Sequence, residues 1–208
     1  MDYSAKFWDR IAKRYARQPI ADEAAYQKKL KVTRQYLDPT MEVLEFGCGT
    51  GSTALLHAPY VKHIRAIDIS AKMIEIAEEK ARTQNISNIT FEQSTIEDCS
   101  APDQSLDMVL ALSILHLLPN KEEVINKVYR MLKPGGVFVS STACLEDSTL
   151  KFMKYVLPIG RFLGLLPLVK FFTKEALENA LTDIGFSIDY EFQPGKSKAV
   201  FIVAKKAA

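Results

Sequence analysis

The 208-residue sequence has neither a strong net charge nor a cysteine framework. Its 27 basic and 25 acidic side chains leave a formal charge of +2, so it has no large positive field to attract nucleic acid. The three cysteines, Cys48, Cys99 and Cys144, are odd in number and lack C-x-x-C spacing, which predicts neither a disulfide framework nor a zinc site. We therefore expect a protein of the reducing cytoplasm, without a nucleic-acid partner and without a metal.

Long uncharged runs are also absent, and we expect no export signal. The first residues, "MDYSAKFWDR", lack the basic start and apolar stretch of a signal peptide. The most apolar stretch, 152–172, is interrupted by three basic side chains and broken by Pro158 and Pro167. Its longest uncharged run is therefore far shorter than the roughly 18 to 20 residues that cross a bilayer. We expect no membrane span.

Short apolar runs alternate with helical patterns through the middle of the chain. "MEVLEF", "HIRAIDI", "NITFEQ", "LDMVLAL" and "GVFVSST" read as strands, with segments such as "AKMIEIAEEKARTQ" between them. This alternation is typical of a parallel doubly wound sheet. Ser70 suits the N-cap of the helix that follows it, and "KPGG" at 133–136 ends a later helix.

Two further strand patterns, "GFSIDYEF" and "KAVFIVAKK", are separated by the turn-forming "QPGKS" and predict an antiparallel hairpin. The predicted fold class is therefore α/β, with a mostly parallel seven-stranded sheet and a C-terminal antiparallel hairpin. We expect one domain over 1–208, with a helical cap at 1–40 and an apolar helical lid insertion at 150–172.

The stretch "VLEFGCGTGS", from Val43 to Ser52, places three glycines at alternate positions after a buried strand. Glycines there let a ligand approach the main chain closely. Asp68 ends the next strand in "AIDIS", where a carboxylate can accept both ribose hydroxyl hydrogens of a nucleoside. Glycine turn and carboxylate together predict a nucleoside site.

The glycine spacing is G-x-G-x-G, whereas a dinucleotide fingerprint is G-x-G-x-x-G, and Ser52 stands at the third-glycine position. Glu45, just before the turn, would repel a pyrophosphate but can hold an ammonium group. S-adenosylmethionine is the nucleoside that fits both features.

Four motifs, "VLEFGCGTG", "AIDISAKMIEIA", "LDMVLALSILHLL" and "MLKPGG", resemble class I S-adenosylmethionine-dependent methyltransferases. Within them the chain is similar to the group of ubiquinone and menaquinone biosynthesis C-methyltransferases. The resemblance implies a Rossmann-like fold, with S-adenosylmethionine as cofactor and S-adenosylhomocysteine as product. By position it implies these contacts: Glu45, Gly47 and Gly49 with the methionine portion, Asp68 with ribose, Ile69 and Met73 with adenine, and the main chain of Ala111 with the methionine amino group.

In "QSTIED" the family often has an acidic residue for the adenine amino group, where this sequence has Thr95. The Ile96 amide, the Glu97 side chain and the Thr95 hydroxyl are the alternatives for this contact. On the acceptor side, His116 follows the fourth strand and is the candidate general base, with Tyr15 second. The alternative for His116 is that it orients its loop.

The stretch 152–172 has three interpretations, namely a lid over a lipophilic acceptor such as a quinone precursor or lipid, a peripheral membrane contact, or a dimer face. Monomer and homodimer both stay open. The predicted function is methyl transfer from S-adenosylmethionine to a small lipophilic acceptor. The alternatives are a non-catalytic nucleoside-binding or membrane-surface scaffold and an NAD-dependent oxidoreductase, against which the glycine spacing argues.

Overall fold

The computed structural model describes residues 3–157, 160, 166–195 and 197–208. The chain forms two compact units, Met1–Ser100 and Ala101–Ala208. Of the predicted lid, 158–159 and 161–165 lie outside the described residues. Within the described part of the chain, every helix is too short or too polar to span a bilayer.

Over its described residues, the first unit has three parallel strands and four α-helices, with a 3₁₀ helix at Ala58–Tyr60. They are α1 (Tyr3–Ala16), α2 (Glu23–Arg34), β1 (Glu42–Phe46), α3 (Ser52–His57), β2 (His63–Asp68), α4 (Ala71–Thr83) and β3 (Ile89–Gln93). The strand order is β3-β2-β1, and each neighbouring pair is parallel. The carboxyl ends of β1 and β2 therefore lie at one edge, because Phe46 pairs with Ile67.

Helix α4 forms because its apolar residues fall on one face. Met73, Ile74, Ala77 and Ala81 are buried, at spacings of a helical stripe. The Ser70 hydroxyl accepts a hydrogen bond from the Met73 amide at 3.1 Å, so the predicted N-cap is confirmed. This cap places the start of α4 directly after the carboxyl end of β2.

Over its described residues, the second unit has four strands and two α-helices. They are β4 (Leu106–Leu112), α5 (Lys121–Met131), β5 (Leu132–Thr142), α6 (Lys174–Thr182), β6 (Phe186–Phe192) and β7 (Val200–Lys206), with 3₁₀ helices at Leu115–Leu117, Leu145–Asp147 and Thr149–Tyr155. The order is β4-β5-β7-β6, and β7 runs antiparallel to both neighbours. The C-terminal hairpin and the α/β class predicted from the sequence are confirmed.

The predicted helical elements at the chain's start are present as α1 and α2. Helix α5 ends at Met131, just before the "KPGG" segment that was expected to stop it. The core of the first unit contains Leu44, Phe46 and Ile67, each no more than 1 % exposed. This packing fixes the positions of the strand ends from which the site is built.

Candidate active site

The loop after β1 is held in a conformation that glycine adopts readily. Gly47, Gly49 and Gly51 have φ of +66°, +55° and +71°, in the left-handed region that side chains disfavour. The Cys48 amide donates to the Ile67 carbonyl at 3.0 Å, which ties the loop to β2. The main chain of the loop is therefore anchored at the carboxyl ends of β1 and β2.

The glycines of this loop differ in how closely other residues pack against them. A Cβ on Gly49 would meet only the Tyr15 ring, at an ordinary 3.8 Å, whereas one on Gly51 would lie 2.8 Å from both Ala77 Cβ and Phe91 Cε1. Close approach at Gly51 is thus made by the protein's own α4 and β3. The sequence predicts that a ligand approaches all three glycines of the turn. The structure shows that at Gly51 the missing side chain instead allows close packing of α4 and β3.

Asp68 lies beside the glycine loop, as predicted. Its Oδ2 accepts from the Gly49 amide and its Oδ1 from the Ser70 amide, each at 2.9 Å. Burial raises the pKa of this carboxyl, while those main-chain donors and Ile69 act in the opposite direction. The carboxylate is therefore fixed in orientation at the tip of β2, where ribose hydroxyls can donate to it.

Glu45 is a buried acid, and one of its two carboxyl oxygens has no partner among the described residues. It is 2 % exposed, and its Oε2 has no hydrogen-bond partner among the described residues. Burial, with a smaller contribution from the Asp68 charge, raises the pKa of Glu45 to about 8. A buried carboxyl of this kind is costly unless a cation or donor satisfies it. Its chemistry fits the ammonium group of an amino-acid-bearing nucleoside.

The residues expected near adenine are either buried in the core or hydrogen-bonded within the protein. Met73 and Ile96 are 2 % and 3 % exposed and belong to the core, while the Ile69 carbonyl accepts from Gln93 at 3.1 Å. The Thr95 hydroxyl donates to Asp98 Oδ2 at 2.9 Å and accepts from the Asp98 amide at 3.0 Å. That hydroxyl is thus engaged within its own chain segment.

Asp98 was not singled out from the sequence, although a signal was available. Thr-x-x-Asp is close to the capping-box pattern, in which a hydroxyl and a carboxyl three residues apart satisfy each other and nearby amides. The pairing brings an exposed carboxylate beside Thr95, the position at which the family often has an acid.

Helix α1 is joined to the start of α4 by Asp9. Its Oδ1 accepts from the Ser70 hydroxyl at 2.6 Å and from the Lys72 amide at 3.1 Å. The Tyr15 ring, edge-on to Trp8 with centroids 6.2 Å apart, belongs to the same helix. Burial and the Asp68 charge raise the pKa of Tyr15, so its phenol stays protonated and suits a hydrogen-bond donor better than the base expected from the sequence.

In the second unit, Ala111 and His116 belong to β4 and the turn after it. Ala111 is fully buried and pairs with Ser140 of β5, and its predicted contact with the methionine amino group stays a prediction. The His116 carbonyl accepts from the Lys170 amide at 2.8 Å. Its Nδ1 is buried with no partner among the described residues, and burial lowers the pKa of His116 to about 4.

Cys48 is unsuited to nucleophilic chemistry. Burial and the neighbouring Glu45 and Asp68 raise the pKa of its thiol well above the ordinary value, and the thiolate is the reactive form. All three cysteines are buried, and none of them forms a disulfide within the described part of the chain.

Comparison with known families decides the assignment. The methyltransferase domain family model matches residues 37–160, more than half of the chain. The chain belongs to this family. The predicted resemblance to methyltransferases is therefore confirmed.

Individual relatives agree with the family. The uncharacterized methyltransferase YcgJ of Bacillus subtilis is 33% identical over 97 residues, covering 47% of this chain and 38% of that protein. Its crystal structure has a TM-score of 0.73 with 19% identity over 88% of this chain and 99% of the other, which shows a shared fold.

Two further relatives are informative, one for its longer alignment and the other because it is described as S-adenosylmethionine-dependent. A demethylmenaquinone methyltransferase of Symbiobacterium thermophilum is 27% identical over 184 residues, 84% of this chain and 71% of that protein. An S-adenosylmethionine-dependent methyltransferase of Methanosarcina mazei has a TM-score of 0.68 and 25% identity, covering 85% of this chain and 97% of the other. The alignments span 38% and 55% of the first two curated relatives that the chain matches.

Proposed function

We propose that this protein transfers the methyl group of S-adenosylmethionine to a small lipophilic acceptor and that residues 1–208 act as one catalytic domain. The observation that carries the proposal is the pair of acids beside the glycine loop. Asp68 is oriented by the Gly49 amide at 2.9 Å, and Glu45 is buried with an unpartnered oxygen. One acid suits a ribose and the other an ammonium group.

The cofactor-binding roles follow from this pair. Glu45 holds the ammonium group, the main chain of Gly47 and Gly49 lies along the methionine portion, and Asp68 accepts from the ribose hydroxyls. Around adenine we assign apolar contact to Ile69, Met73 and Ile96. Because the Thr95 hydroxyl is engaged by Asp98, the polar contact falls to the Ile96 amide, the Glu97 side chain or the Asp98 carboxylate.

The sulfonium of the cofactor supplies an already activated methyl group. The protein's residues have to hold donor and acceptor in line and keep water out. Positioning of this kind can supply roughly 7 to 11 kcal/mol of a barrier. Direct transfer of this kind does not require a side chain that forms a covalent intermediate.

His116 is the residue we assign to the acceptor's proton. With its pKa lowered to about 4 by burial, the imidazole is neutral over the physiological range, so its buried Nδ1 can accept a hydrogen bond from an acceptor hydroxyl. A base of this pKa is ionised only in acid. Activity governed by His116 is therefore expected to be level from about pH 8 to about pH 5 and to fall as pH approaches about 4. A fall centred near pH 6.5 in the acceptor kcat/KM would contradict this assignment.

A lipophilic acceptor is supported by the composition of the segment after β5. From 149 to 172 the sequence has four basic and no acidic side chains. Phe152, Tyr155 and Val156 are 60%, 74% and 55% exposed. A relative is named demethylmenaquinone methyltransferase. We infer a quinol as acceptor and contact of this segment with an anionic membrane surface.

The acceptor is tested with methyl-labelled S-adenosylmethionine and three probes, 2-prenyl-1,4-naphthoquinol, 1,4-naphthoquinol and catechol. We expect label in the prenylated quinol and much less in catechol. Asp68→Asn is the control that should strongly reduce transfer, because it weakens one ribose acceptor. If S-adenosylhomocysteine binds but no quinol is labelled, the acceptor class is wrong. If S-adenosylhomocysteine does not bind, the methyl-transfer proposal itself fails.

Membrane contact is tested by co-sedimentation with phosphatidylcholine vesicles, with and without phosphatidylglycerol. Phe152→Ser combined with Tyr155→Ser should weaken binding to the anionic vesicles. The matched control is Ile20→Ser with Leu56→Ser, two side chains that are 47% and 41% exposed in the first unit. Equal sedimentation of both double variants would contradict the contact.

A further inference from the structure

The Lys80 side chain extends from α4 to the glycine loop, where its ammonium group makes three hydrogen bonds. Its Nζ lies 3.1 Å from the Thr50 carbonyl and 2.8 Å from the Thr50 hydroxyl. It also lies 3.0 Å from the Ser52 hydroxyl. A lysine ammonium has three N–H donors, so each of them can be matched by an oxygen of the loop.

This ammonium is held by neutral oxygens. Its three hydrogen-bond acceptors are a carbonyl and two hydroxyls, and burial lowers the pKa of its amine. Partial desolvation of a cation is unfavourable unless hydrogen bonds compensate it. The three contacts with the loop provide that compensation, so the position of the ammonium and the conformation of the loop depend on each other.

The loop has a particular need for such a contact. Thr50 stands between Gly49 and Gly51, whose φ angles of +55° and +71° lie in the region where glycine moves with little hindrance. Glycine loses more conformational freedom on folding than any other residue. By binding the carbonyl and the hydroxyl of Thr50, Lys80 restricts the peptides on either side of that residue.

Helix α4 thus touches the loop at two neighbouring positions. Ala77 blocks a side chain at Gly51, where a Cβ would be 2.8 Å away, and Lys80 binds Thr50 one turn further along the same face. The Gly49 amide, which donates to Asp68, lies directly before Thr50 in the chain. Lys80 is thereby linked, through Thr50, to the Gly49 amide, which orients the carboxylate of Asp68.

We propose that Lys80 is a positioning residue that holds the glycine loop in its cofactor-binding conformation. The inference rests on the proposed function, because it takes this loop as the binding surface for S-adenosylmethionine. Lys80 acts through Thr50, Ser52 and the Gly49 peptide and does not itself touch the cofactor.

The first measurement is the dissociation constant of S-adenosylhomocysteine by calorimetry, well below the melting temperature of every variant. Lys80→Met keeps the apolar stem and removes the donors, and we expect the constant to rise at least roughly tenfold. Lys80→Arg keeps a cationic donor and should restore most of the affinity. The control is Lys72→Met, also on α4, whose Nζ pairs with Glu75 at 2.8 Å, and its constant should be unchanged.

A double-mutant cycle tests the route through Thr50. Thr50→Val removes the hydroxyl that Lys80 contacts but keeps the branched shape. If the two residues act as a unit, the combined variant should lose less affinity than the product of the two separate losses. Fully multiplicative losses would place the effect of Lys80 elsewhere.

Hydrogen exchange of the ligand-free protein separates this inference from the cofactor assignment. In Lys80→Met, amides of residues 47–52 should exchange roughly tenfold faster, while amides of β2 are unaffected. Unchanged loop exchange, or a lowered melting temperature with wild-type affinity for S-adenosylhomocysteine, overturns the positioning role. If the wild type fails to bind S-adenosylhomocysteine, the proposed function fails, and loop exchange still decides whether Lys80 holds the loop.

Discussion

At the scale of single residues, Glu45 shows how burial sets the chemistry of the site. Its carboxyl lies at the end of β1, 2 % exposed, with one oxygen unpartnered among the described residues. Burial and then Asp68 raise its pKa from the ordinary 4.5 to about 8. In the ligand-free protein this group therefore holds its proton at a pH where the unfolded chain releases it.

This pKa predicts how stability changes with pH. Between about pH 4.5 and pH 8 the unfolded state binds fewer protons at Glu45 than the folded state, so the free energy of unfolding falls as pH rises. The contribution is full below the unfolded pKa and is lost as pH approaches the folded one. We expect the melting temperature of the wild type to fall over this range, and that of Glu45→Gln to fall less.

Thermal unfolding of the ligand-free protein at a series of pH values checks this expectation. Asp68, whose pKa is also raised by burial, contributes in the same direction and is present in both proteins, so the difference isolates Glu45. Glu78→Gln, an exposed change on α4, should follow the wild type. Identical slopes for Glu45→Gln and wild type would show that Glu45 is not buried as a neutral acid.

Gly51 offers a second test at this scale, with Gly135 as its matched control. Their φ angles, +71° and +75°, make a side chain about equally strained. A Cβ on Gly51 would lie 2.8 Å from Ala77 Cβ and from the Phe91 ring, whereas one on Gly135 has nothing within 4 Å. Gly135→Ala should lower the free energy of unfolding by about 1 to 2 kcal/mol, and Gly51→Ala by about 1 to 3 kcal/mol more.

Denaturant unfolding of the two variants measures the difference. If Gly51→Ala costs no more than Gly135→Ala, then the loop can move away from α4 and β3, and close packing is not the reason for that glycine.

At the scale of elements, helix α1 depends on a contact across a long stretch of sequence. Asp9 accepts from the Ser70 hydroxyl at 2.6 Å and from the Lys72 amide at 3.1 Å. A carboxylate near a helix N-terminus is favoured by the unsatisfied amides and the helix dipole there. The same contact holds α1 in place, and with it Tyr15, whose ring would lie 3.8 Å from a Cβ on Gly49.

Removal of this carboxylate should loosen α1. We expect Asp9→Ala to speed hydrogen exchange of amides in α1 by roughly tenfold, since it loses a charge-assisted bond. Asp9→Asn keeps an acceptor without the charge and should show a smaller effect. Lys13→Ala, an exposed change on the same helix, is the control. Exchange in α1 that is unaffected by Asp9→Ala would mean that apolar packing alone holds the helix.

At the scale of the whole molecule, ligand binding should be visible as a gain in thermal stability. S-adenosylhomocysteine at about 100 times its dissociation constant should stabilise the folded state by about 2.7 kcal/mol. For a chain of this length that corresponds to a rise of roughly 5 to 10 °C in melting temperature. NADH should give no rise, because the glycine spacing differs from the dinucleotide pattern.

A thermal-shift series with S-adenosylhomocysteine, NADH and buffer tests this at once. Asp68→Asn should reduce the shift, because one ribose acceptor is weakened. A rise with NADH equal to that with S-adenosylhomocysteine would favour the oxidoreductase alternative.

Much of this architecture follows from local sequence. Apolar runs, the Ser70 cap and the turn between β6 and β7 predicted the α/β class and the hairpin, because those signals act over a few residues. The meeting of Gly49 and Asp68 was also predictable, since parallel strands bring their carboxyl ends to one edge. The motifs built on these residues were sufficient to indicate the family.

What the tertiary structure decided depends on contacts between distant parts of the chain. Asp9 and Ser70 are 61 residues apart and Lys80 and Thr50 are 30 apart, so no periodicity or spacing connects them. The high pKa of Glu45 and the low pKa of His116 arise because the surrounding fold removes water from those side chains. Sequence thus determined which elements form and which chemical groups stand at their ends, whereas burial and long-range hydrogen bonds set the protonation and orientation of those groups.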